Sequence, residues 1–248
     1  EQLFLSNREF VILIPSYNNL RYFKKNLDSV FRQNYDKYRV IYIDDNSPDG
    51  TGEAVAKYIQ ERGKTSITTV IRNSERKLAM ANIYNTIHRY CHDHEIIVIL
   101  DGDDELADET VLTYLNDIYK QGYIWLTYGN LWLKTEQAIC TWSKKIDSAQ
   151  IELNRFREWD GSVTALRTFG AWLFKLINKA DLMLNSDFFK MAYDVAMFTP
   201  MIEMAGHHHR FIEKVLYVYN DSSPINDHKV DRKLQLDLNQ YIRMKMPK

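Results

Sequence analysis

The 248-residue sequence has little that would tie it to a membrane, to nucleic acid or to an oxidising compartment. Its two cysteines, Cys91 and Cys140, form neither a disulfide framework nor a CxxC motif, which favours a reducing compartment. No apolar run approaches the roughly 20 residues that a membrane-spanning helix needs. A formal net charge of −1 argues against a nucleic-acid-binding protein. We therefore expect a soluble, cytoplasmic protein without a transmembrane segment and without a nucleic-acid partner.

Four apolar runs alternate with segments of helical periodicity in the first half of the chain. Each run is short and continuous, which is typical of a strand that is buried on both faces. Alternation of strands and helices implies right-handed crossovers and a mostly parallel sheet that is flanked by helices. The predicted fold class is therefore α/β. The predicted strands cover residues 10–14, 40–43, 67–71 and 96–100.

The regular alternation stops after about residue 123. No linker or internal repeat is visible, so the sequence favours one domain with a C-terminal elaboration. Pro200 is expected to kink the helix that contains it or to open its second part. The second half is predicted to hold an extended segment at 123–133, a loop or lid at 134–160, helices at 167–177 and 194–205, a strand at 210–220 and a helix within 231–245.

Polar clusters follow the first, second and fourth predicted strands. Ligands of open parallel sheets bind beyond the carboxyl ends of the strands, so these clusters are expected to converge on one site. The glycine-rich loop that a nicotinamide oxidoreductase or a sugar nucleotidyltransferase carries after its first strand is absent, which disfavours both classes. The clusters are Pro15-Ser16-Tyr17-Asn18, Asp44-Asp45-Asn46-Ser47 and Asp101-Gly102-Asp103-Asp104.

The third cluster places three carboxylates, Asp101, Asp103 and Asp104, within four positions directly after a buried strand. Like charges this close repel each other, so the cluster must be well solvated or neutralised by a cation. Carboxylate oxygens suit Mg²⁺ or Mn²⁺, and Gly102 permits the turn that would let them share one ion. The alternative is a solvated acidic loop that caps the next helix. Because two other polar clusters point to the same edge, the metal site is favoured.

The second cluster and a lysine further along predict contacts to a nucleotide. Either Asp44 or Asp45 can accept a hydrogen bond from the imide N–H of a uracil ring, while the following residues build the turn and cap the next helix. Lys77 begins the third predicted helix near the same edge, although a solvated surface lysine is an equal alternative. His228, beyond the last predicted strand, lies on a segment that could fold back over the site. The run at 207–209 is three adjacent histidines, which cannot easily converge on one ion.

These motifs together resemble those of GT-A fold glycosyltransferases, in the large inverting family 2. The family pattern is PxYN after the first strand, DDxSxDGT after the second and DxDD after a later one. This chain carries PSYN at 15–18, DDNSPDGT at 44–51 and DGDD at 101–104, in the family's order and within residues 10–130. The family usually carries a glycine near Leu78, and this chain has none.

The resemblance implies a nucleotide-sugar donor, most often a UDP-sugar, and a divalent metal, Mn²⁺ or Mg²⁺. It implies transfer of a hexose or an N-acetylhexosamine, with inversion, to a hydroxyl of a glycan, a protein or a lipid-linked sugar. The expected donor contacts are Pro15, Tyr17, Asn18, Asp44, Asp45, Lys77, Asp101 and Gly102. The expected metal ligands are Asp101, Asp103, Asp104 and His228.

The resemblance also implies how the single domain, residues 1–248, is divided. Residues 1–130 would bind the nucleotide sugar, and residues 131–248 would bind the acceptor and supply the base. Asp194 opens a predicted helix where the family places its catalytic base, although Tyr193 replaces the glutamate that usually precedes it. The alternative is a non-catalytic sugar-nucleotide-binding homologue, which would keep the aspartate clusters and would not hydrolyse the donor.

Overall fold

The computed structural model describes residues 6–246, apart from the side chains of residues 227 and 228. The strands are β1 (Phe10–Ser16), β2 (Tyr38–Asp44), β3 (Thr68–Arg72), β4 (Ile96–Ile99), β5 (Glu105–Leu106), β6 (Leu126–Leu133), β7 (Ala138–Ile139), β8 (Arg167–Gly170), β9 (Met183–Leu184), β10 (Asp187–Phe188) and β11 (His209–Tyr219). The helices are α1 (Phe23–Phe31), α2 (Thr51–Glu61), α3 (Leu78–Tyr90), α4 (Val111–Tyr119), α5 (Ser148–Glu152), α6 (Ala171–Lys175), α7 (Tyr193–Ala205), α8 (Asp227–Val230) and α9 (Arg232–Met244).

A mixed sheet of nine strands runs through the described part of the chain in the order β3-β2-β1-β4-β8-β6-β11-β5, with β7 beside β6. Strands β3, β2, β1 and β4 are parallel to one another. Strand β8 then runs antiparallel between β4 and β6, and β11 is parallel to β6. The predicted α/β class is confirmed, and the predicted parallel pairing holds for the first four strands.

Apolar residues of β1 pack alternately on the two faces of the sheet, and all seven residues of this strand are buried. Val11 and Leu13 belong to a core shared with α3, α6, α7 and α9. Ile12 and Ile14 belong to a second core shared with α1, α2 and α4. Since side chains alternate along a strand, a run without polar residues can satisfy both cores at once. This explains why the strand that leads into the site has no polar residue before Pro15.

The helix predicted over residues 167–177 is wrong in its first part. Residues 167–170 form strand β8, which pairs with Ile96–Ile99 of β4, and the helix is confined to α6. A short apolar run does not distinguish a buried strand from a buried helix by its periodicity. All four residues of β8 are buried, because the strand lies inside the sheet. The strand places Arg167 beside the carboxyl end of β4.

The remaining elements of the second half follow the prediction. Strand β11 and helix α9 lie where a strand and a helix were expected, and residues 134–160 hold the short elements β7 and α5. Helix α7 continues through Pro200 from Tyr193 to Ala205. Strands from both sides of residue 130 share the main sheet. Within residues 6–246, no helix has both the length and the apolar character that crossing a membrane requires.

Candidate active site

The loops that follow β1, β2 and β4 are joined by backbone hydrogen bonds at one edge of the sheet. The N–H of Asp45 donates to the carbonyl of Ser16 at 2.9 Å, and the N–H of Gly102 donates to the carbonyl of Pro15 at 3.1 Å. Because these strands are parallel, their carboxyl ends lie side by side. The structure therefore brings the three predicted polar clusters together.

Close packing at this edge requires a glycine in the segment DGDD, residues 101–104, which we call the aspartate loop. A Cβ atom at Gly102 would lie 2.5 Å from Nδ2 of Asn19 and 2.7 Å from the side chain of Ser16. These two side chains are held in place, since Asn19 Nδ2 donates to Ser16 Oγ at 3.0 Å and the Tyr42 hydroxyl donates to the same oxygen at 2.7 Å. Gly102 thus lets the aspartate loop lie directly against β1.

The later residues of the DDNSPDGT motif fix the loop after β1. The N–H of Asn18 donates to Ser47 Oγ at 2.9 Å, and the N–H of Asn19 donates to Thr51 Oγ1 at 3.0 Å. Oδ1 of Asp49 accepts from the N–H of Thr51 at 3.0 Å, which holds the turn that leads into α2. This part of the motif builds the turn, as its turn-forming residues predicted. Asp44 and Asp45 are left as the nucleotide candidates of the cluster.

The carboxylate of Asp45 faces the start of helix α3. Its Oδ1 accepts from the N–H of Lys77 and from Nδ2 of Asn73, both at 2.8 Å, and its Oδ2 accepts from the N–H of Leu78 at 2.8 Å. A carboxylate offers about four acceptor positions, so one has no partner among these contacts, and 3% of the residue is exposed. Lys77 meets this site through its backbone, while its side chain is exposed.

Asp44 faces helix α2 instead. A Cβ atom at Gly52 would lie 2.5 Å from Oδ2 of Asp44, so the first turn of α2 packs directly on this carboxylate. Burial raises the pKa of Asp44, and hydrogen bonds from Ser47 and the charge of Arg72 offset part of that rise. Oδ1 of Asp44 is buried and has no hydrogen-bond partner among the described residues, so both Asp44 and Asp45 keep an unpaired acceptor position, one beside α2 and the other beside α3.

A cation–aromatic pair lies at the same edge. The guanidinium carbon of Arg76 is 3.8 Å from the centre of the Tyr17 ring, well within the range of a cation–π contact. The ring is half-buried and the arginine is exposed. Arg76 was not among the predicted site residues, although it is adjacent to Lys77, which was.

Asp104 is built into the fold. Its Oδ1 accepts from the N–H of Asn220 at 2.6 Å, and its Oδ2 accepts from the hydroxyl of Tyr217 at 2.5 Å. Only 1% of the residue is exposed. Burial, together with the charges of Asp103 and Asp101, raises the pKa of Asp104 well above its ordinary value. This carboxylate anchors the end of β11 against the aspartate loop.

Asp101 and Asp194 lie on either side of Arg167. Nη1 of Arg167 donates to Oδ2 of Asp194 at 2.9 Å, and its Nη2 lies 3.6 Å from Oδ2 of Asp101. The hydroxyl of Tyr193 donates to Oδ1 of Asp101 at 2.7 Å. Sequence reasoning missed Arg167, because a residue assigned to a helix could not be placed opposite Ile99 of β4, where β8 puts it.

Asp103 is the carboxylate of the cluster that the described residues engage least. Burial and the charge of Asp101 raise the pKa of Asp103 to about 6, while the nearby hydroxyl of Ser223 opposes that rise. A nearby cation would favour the charged form of such a group. The oxygen donors of Asp103 and Asp101 therefore fit a hard divalent cation in their chemistry. Over residues 6–246 and their described side chains, no group of three His, Cys, Asp or Glu residues converges as a complete metal site.

The histidines that the sequence singled out lie on separate elements. His228 belongs to α8, beyond β11, and its side chain lies outside the described residues. His208 stacks on Trp125 with ring centres 4.1 Å apart, and its Nδ1 lies 2.7 Å from the carbonyl of Tyr123. This pair sits at the amino ends of β6 and β11, opposite the aspartate clusters. The described contacts of His208 are those of a packed side chain.

Leu78 adopts the left-handed backbone conformation that glycine favours, with φ of 68°. A leucine in this region costs roughly 1–2 kcal/mol. At an ordinary helical position, alanine is more stable than glycine by up to about 1 kcal/mol. We expect the reverse here: Leu78→Gly should be more stable than Leu78→Ala by about 1 kcal/mol in urea unfolding, because both lose the side chain and only alanine keeps the strain. An alanine variant at least as stable as the glycine variant would contradict the left-handed conformation.

Comparison with protein-family models matches residues 11–175 to the model for glycosyl transferase family 2. An uncharacterized glycosyltransferase of Mycoplasma genitalium, MG025, is 42% identical over 52 residues, which are 20% of this chain and 17% of that protein. The match to the family model extends beyond the three motifs into α6.

Solved structures share the fold at low sequence identity. The crystal structure of S. aureus TarS 1–349 in complex with UDP-GlcNAc has a TM-score of 0.67 and 16% identity, and the match covers 90% of this chain and 61% of that one. The mannosyltransferase PcManGT from Pyrobaculum calidifontis, in complex with GDP-Man and Mn²⁺, has a TM-score of 0.58 and 15% identity, over 87% of this chain and 58% of that one. The chain thus spans about three fifths of the length of these two neighbours.

Proposed function

The chain belongs to glycosyl transferase family 2, and we propose that it transfers a sugar from a UDP-sugar to a hydroxyl acceptor, with inversion and with a bound divalent metal. The observation that carries this proposal is the arrangement around Arg167. One of its neighbours is Asp101, the first aspartate of the DGDD segment after β4. The other is Asp194, in the first turn of helix α7. A carboxylate of the proposed nucleotide-sugar site and a candidate base therefore both contact the side chain of Arg167.

We propose that the uracil ring binds beside Asp45. The free acceptor position of this carboxylate can take the imide N–H, and Asp44 remains the alternative. Tyr17, under Arg76, would contribute an aromatic surface at the nucleotide, and Asn18 would line the same loop. Pro15 and Gly102 would shape the pocket through their backbones, and Lys77 would approach the diphosphate from α3. The TarS complex contains UDP-GlcNAc and the PcManGT complex contains GDP-Man, so both donor classes deserve testing.

We propose that Asp101 and Asp103 hold the metal, Mn²⁺ or Mg²⁺, with Asp104 and His228 as further members of the predicted ligand set. The bound ion would act as a Lewis acid on the diphosphate oxygens. Asp103 suits this role best, because no basic side chain engages it among the contacts described above. Asp104 would support the loop from behind, through Tyr217 and Asn220.

We propose Asp194 as the general base. An acceptor hydroxyl has a pKa far above neutrality, so it needs a proton acceptor within hydrogen-bond reach as it attacks. Asp194 is 36% exposed at its side chain, which leaves it open to such a ligand. A single in-line displacement, with the proton passing to Asp194 and the diphosphate leaving on the opposite face, inverts the anomeric carbon.

The proposed activity belongs to a single domain, residues 1–248, in which residues 1–130 bind the donor and residues 131–248 supply the base and the acceptor surface. The sugar would be a hexose or an N-acetylhexosamine. The acceptor would be a glycan, a protein side chain or a lipid-linked sugar.

Thermal unfolding with nucleotides tests the donor assignment. UDP at about 100 times its dissociation constant should stabilise the fold by about 2.7 kcal/mol when Mn²⁺ or Mg²⁺ is present. For a chain of this length, this corresponds to a rise in Tm of roughly 5–10 °C. Without the metal, the shift should be small, because the diphosphate would then face Asp101 and Asp103 uncompensated.

The same panel contains its controls. A larger shift with GDP or CDP than with UDP would remove the uracil assignment. If UDP raises the Tm equally in the presence of a chelator, the proposed metal requirement is wrong. Release of UDP from UDP-GlcNAc and related UDP-sugars then separates a transferase, which leaks sugar to water, from a binding homologue, which does not.

A further inference from the structure

We infer that Arg167 is a positioning residue that holds the base Asp194 at a fixed place beside Asp101, so that the donor site and the base act as one unit. This inference rests on the proposed function. It adds a role for a residue in strand β8, outside the three motifs. It also predicts that the losses of kcat in Arg167→Gln and Asp194→Asn do not multiply.

The guanidinium of Arg167 is locked between its partners. The residue is 7% exposed, and a buried charge is retained where opposite charges compensate its lost hydration. Burial lowers the pKa of Arg167, but Tyr193, Asp194 and Asp101 outweigh this and raise it. The two carboxylates remain partly open to solvent, with 28% of the Asp101 side chain and 36% of the Asp194 side chain exposed. Arg167 is thus buried and paired, while the two carboxylates that it contacts keep solvent-exposed surface that a ligand can reach.

Two separate contacts orient the carboxylate of Asp194. Arg167 Nη1 donates to Oδ2 at 2.9 Å, and the N–H of Val195 donates to Oδ1 at 2.9 Å. A second connection reaches Asp101 from the neighbouring residue, because the hydroxyl of Tyr193 donates to it. The distance between Asp101 and Asp194 is therefore set by Arg167 on one side and by Tyr193 on the other. Since misplacement of a reacting group by about 1 Å can cost 10²-fold in rate, such bracing matters for turnover.

A second buried arginine provides a matched control. Arg157 forms two hydrogen bonds to Glu203, at 2.5 and 2.9 Å, and donates to the carbonyl of Ile242. The Glu203 side chain has no exposed surface, and this pair connects the segment at residues 156–158 to helices α7 and α9, away from Asp101 and Asp194. Arg157 therefore has the burial and the carboxylate pairing of Arg167 without its place at the site.

The test is a double-mutant cycle with Arg167→Gln and Asp194→Asn, assayed by Mn²⁺-dependent release of UDP from UDP-GlcNAc or another UDP-sugar that the protein hydrolyses. We expect Arg167→Gln to lower kcat by about 10–100-fold, with a smaller change in KM for the donor. Adding Arg167→Gln to Asp194→Asn should lower kcat by less than about threefold more, because a positioning residue has little further effect once the base that it positions is gone. Arg167→Lys should recover part of the loss, since it keeps the charge. Arg157→Lys should leave kcat within about twofold.

The outcomes separate this inference from the proposed function. Wild-type protein that hydrolyses no nucleotide sugar overturns both. An active wild type in which the two substitutions multiply their losses overturns the role of Arg167 and leaves the transferase intact. A loss of kcat in Arg157→Lys that matches that of Arg167→Lys would also overturn it, because a general loss of core packing would then explain both. Urea unfolding of the same four proteins of the cycle gives a readout without turnover: Asp194→Asn should lower the urea midpoint less in the Arg167→Gln background than in the wild type, and equal shifts would overturn the contact itself.

Discussion

Replacing Asp194 with asparagine is expected to lower turnover by about 10²–10⁴-fold while UDP and metal binding stay near wild type. A positioned general base contributes a factor of this size, and asparagine keeps the shape of the side chain without accepting a proton. Asp194 contacts Arg167 and the backbone of Val195, and the proposed nucleotide contacts lie on other loops. The loss should therefore appear in kcat, measured as UDP release from a UDP-sugar, and thermal shifts with UDP and Mn²⁺ should be unchanged.

A capping role for Asp194 predicts a different result. Asparagine is about as good at a helix start as aspartate, so a residue that only supports α7 would lose neither stability nor turnover. Asp147 offers a matched control, because it caps α5 by accepting from the N–H of Gln150 at 2.9 Å. Asp147→Asn should leave kcat unchanged. Glu203, the other acid of α7, is paired with Arg157 in the core and is no substitute for the base. Retained turnover in Asp194→Asn would remove this residue from the catalytic role.

Replacing Asp103 with alanine is expected to abolish the metal-dependent stabilisation by UDP while the protein stays folded. The cation would lose a carboxylate ligand that has no basic protein partner among the contacts described for it. We expect the rise in Tm that UDP and Mn²⁺ together produce, about 5–10 °C at saturation, to fall to the level seen without metal. Calorimetric titration of Mn²⁺ in the presence of UDP gives the same comparison directly. Unchanged Mn²⁺ binding would contradict the metal site and favour the alternative, a solvated acidic loop that caps the next helix.

The neighbouring Asp104→Ala should behave in the opposite way. It would leave the buried N–H of Asn220 without its acceptor, at a cost of about 1–3 kcal/mol, and it would leave the hydroxyl of Tyr217 with only its longer contact to Asp101. Asp103→Ala should instead stabilise the metal-free protein at pH 7. The pKa of Asp103 is raised from 3.8 to about 6, so the folded state binds more protons than the unfolded state between these values, and stability falls as pH rises through this window. Removing the group removes this loss, which is at most roughly 3 kcal/mol.

The alternation of β1 to β4 with α1 to α4 follows from the sequence because it depends on local patterns, whereas the short strand β5 was not predicted. Continuous apolar runs such as residues 10–14 and 96–100 satisfy a core on each face of the sheet, and this requirement is visible one residue at a time. Polar residues at the ends of these runs must then meet at the carboxyl edge of a parallel sheet. The convergence of the PSYN, DDNSPDGT and DGDD clusters was predictable for this reason.

The division of labour within each cluster was decided by tertiary contacts. Asp103 and Asp104 are adjacent and chemically identical, yet Asp104 is engaged by Tyr217 and Asn220, which lie more than a hundred residues away. Asp45 accepts from the N–H groups of Lys77 and Leu78 at the start of α3, more than thirty positions along the chain. No local pattern encodes such pairings.

Strand β8 is the clearest case. The residues at 167–170 read equally well as the start of a helix, because four residues are too few for either periodicity to show. What makes them a strand is the space between β4 and β6, two strands that they meet only after the chain has folded. That insertion brings Arg167 between Asp101 and Asp194. The sequence by itself determined which chemical groups reach the edge of the sheet, and the tertiary structure decided which of them are paired, since pairing depends on strand neighbours that are distant along the chain.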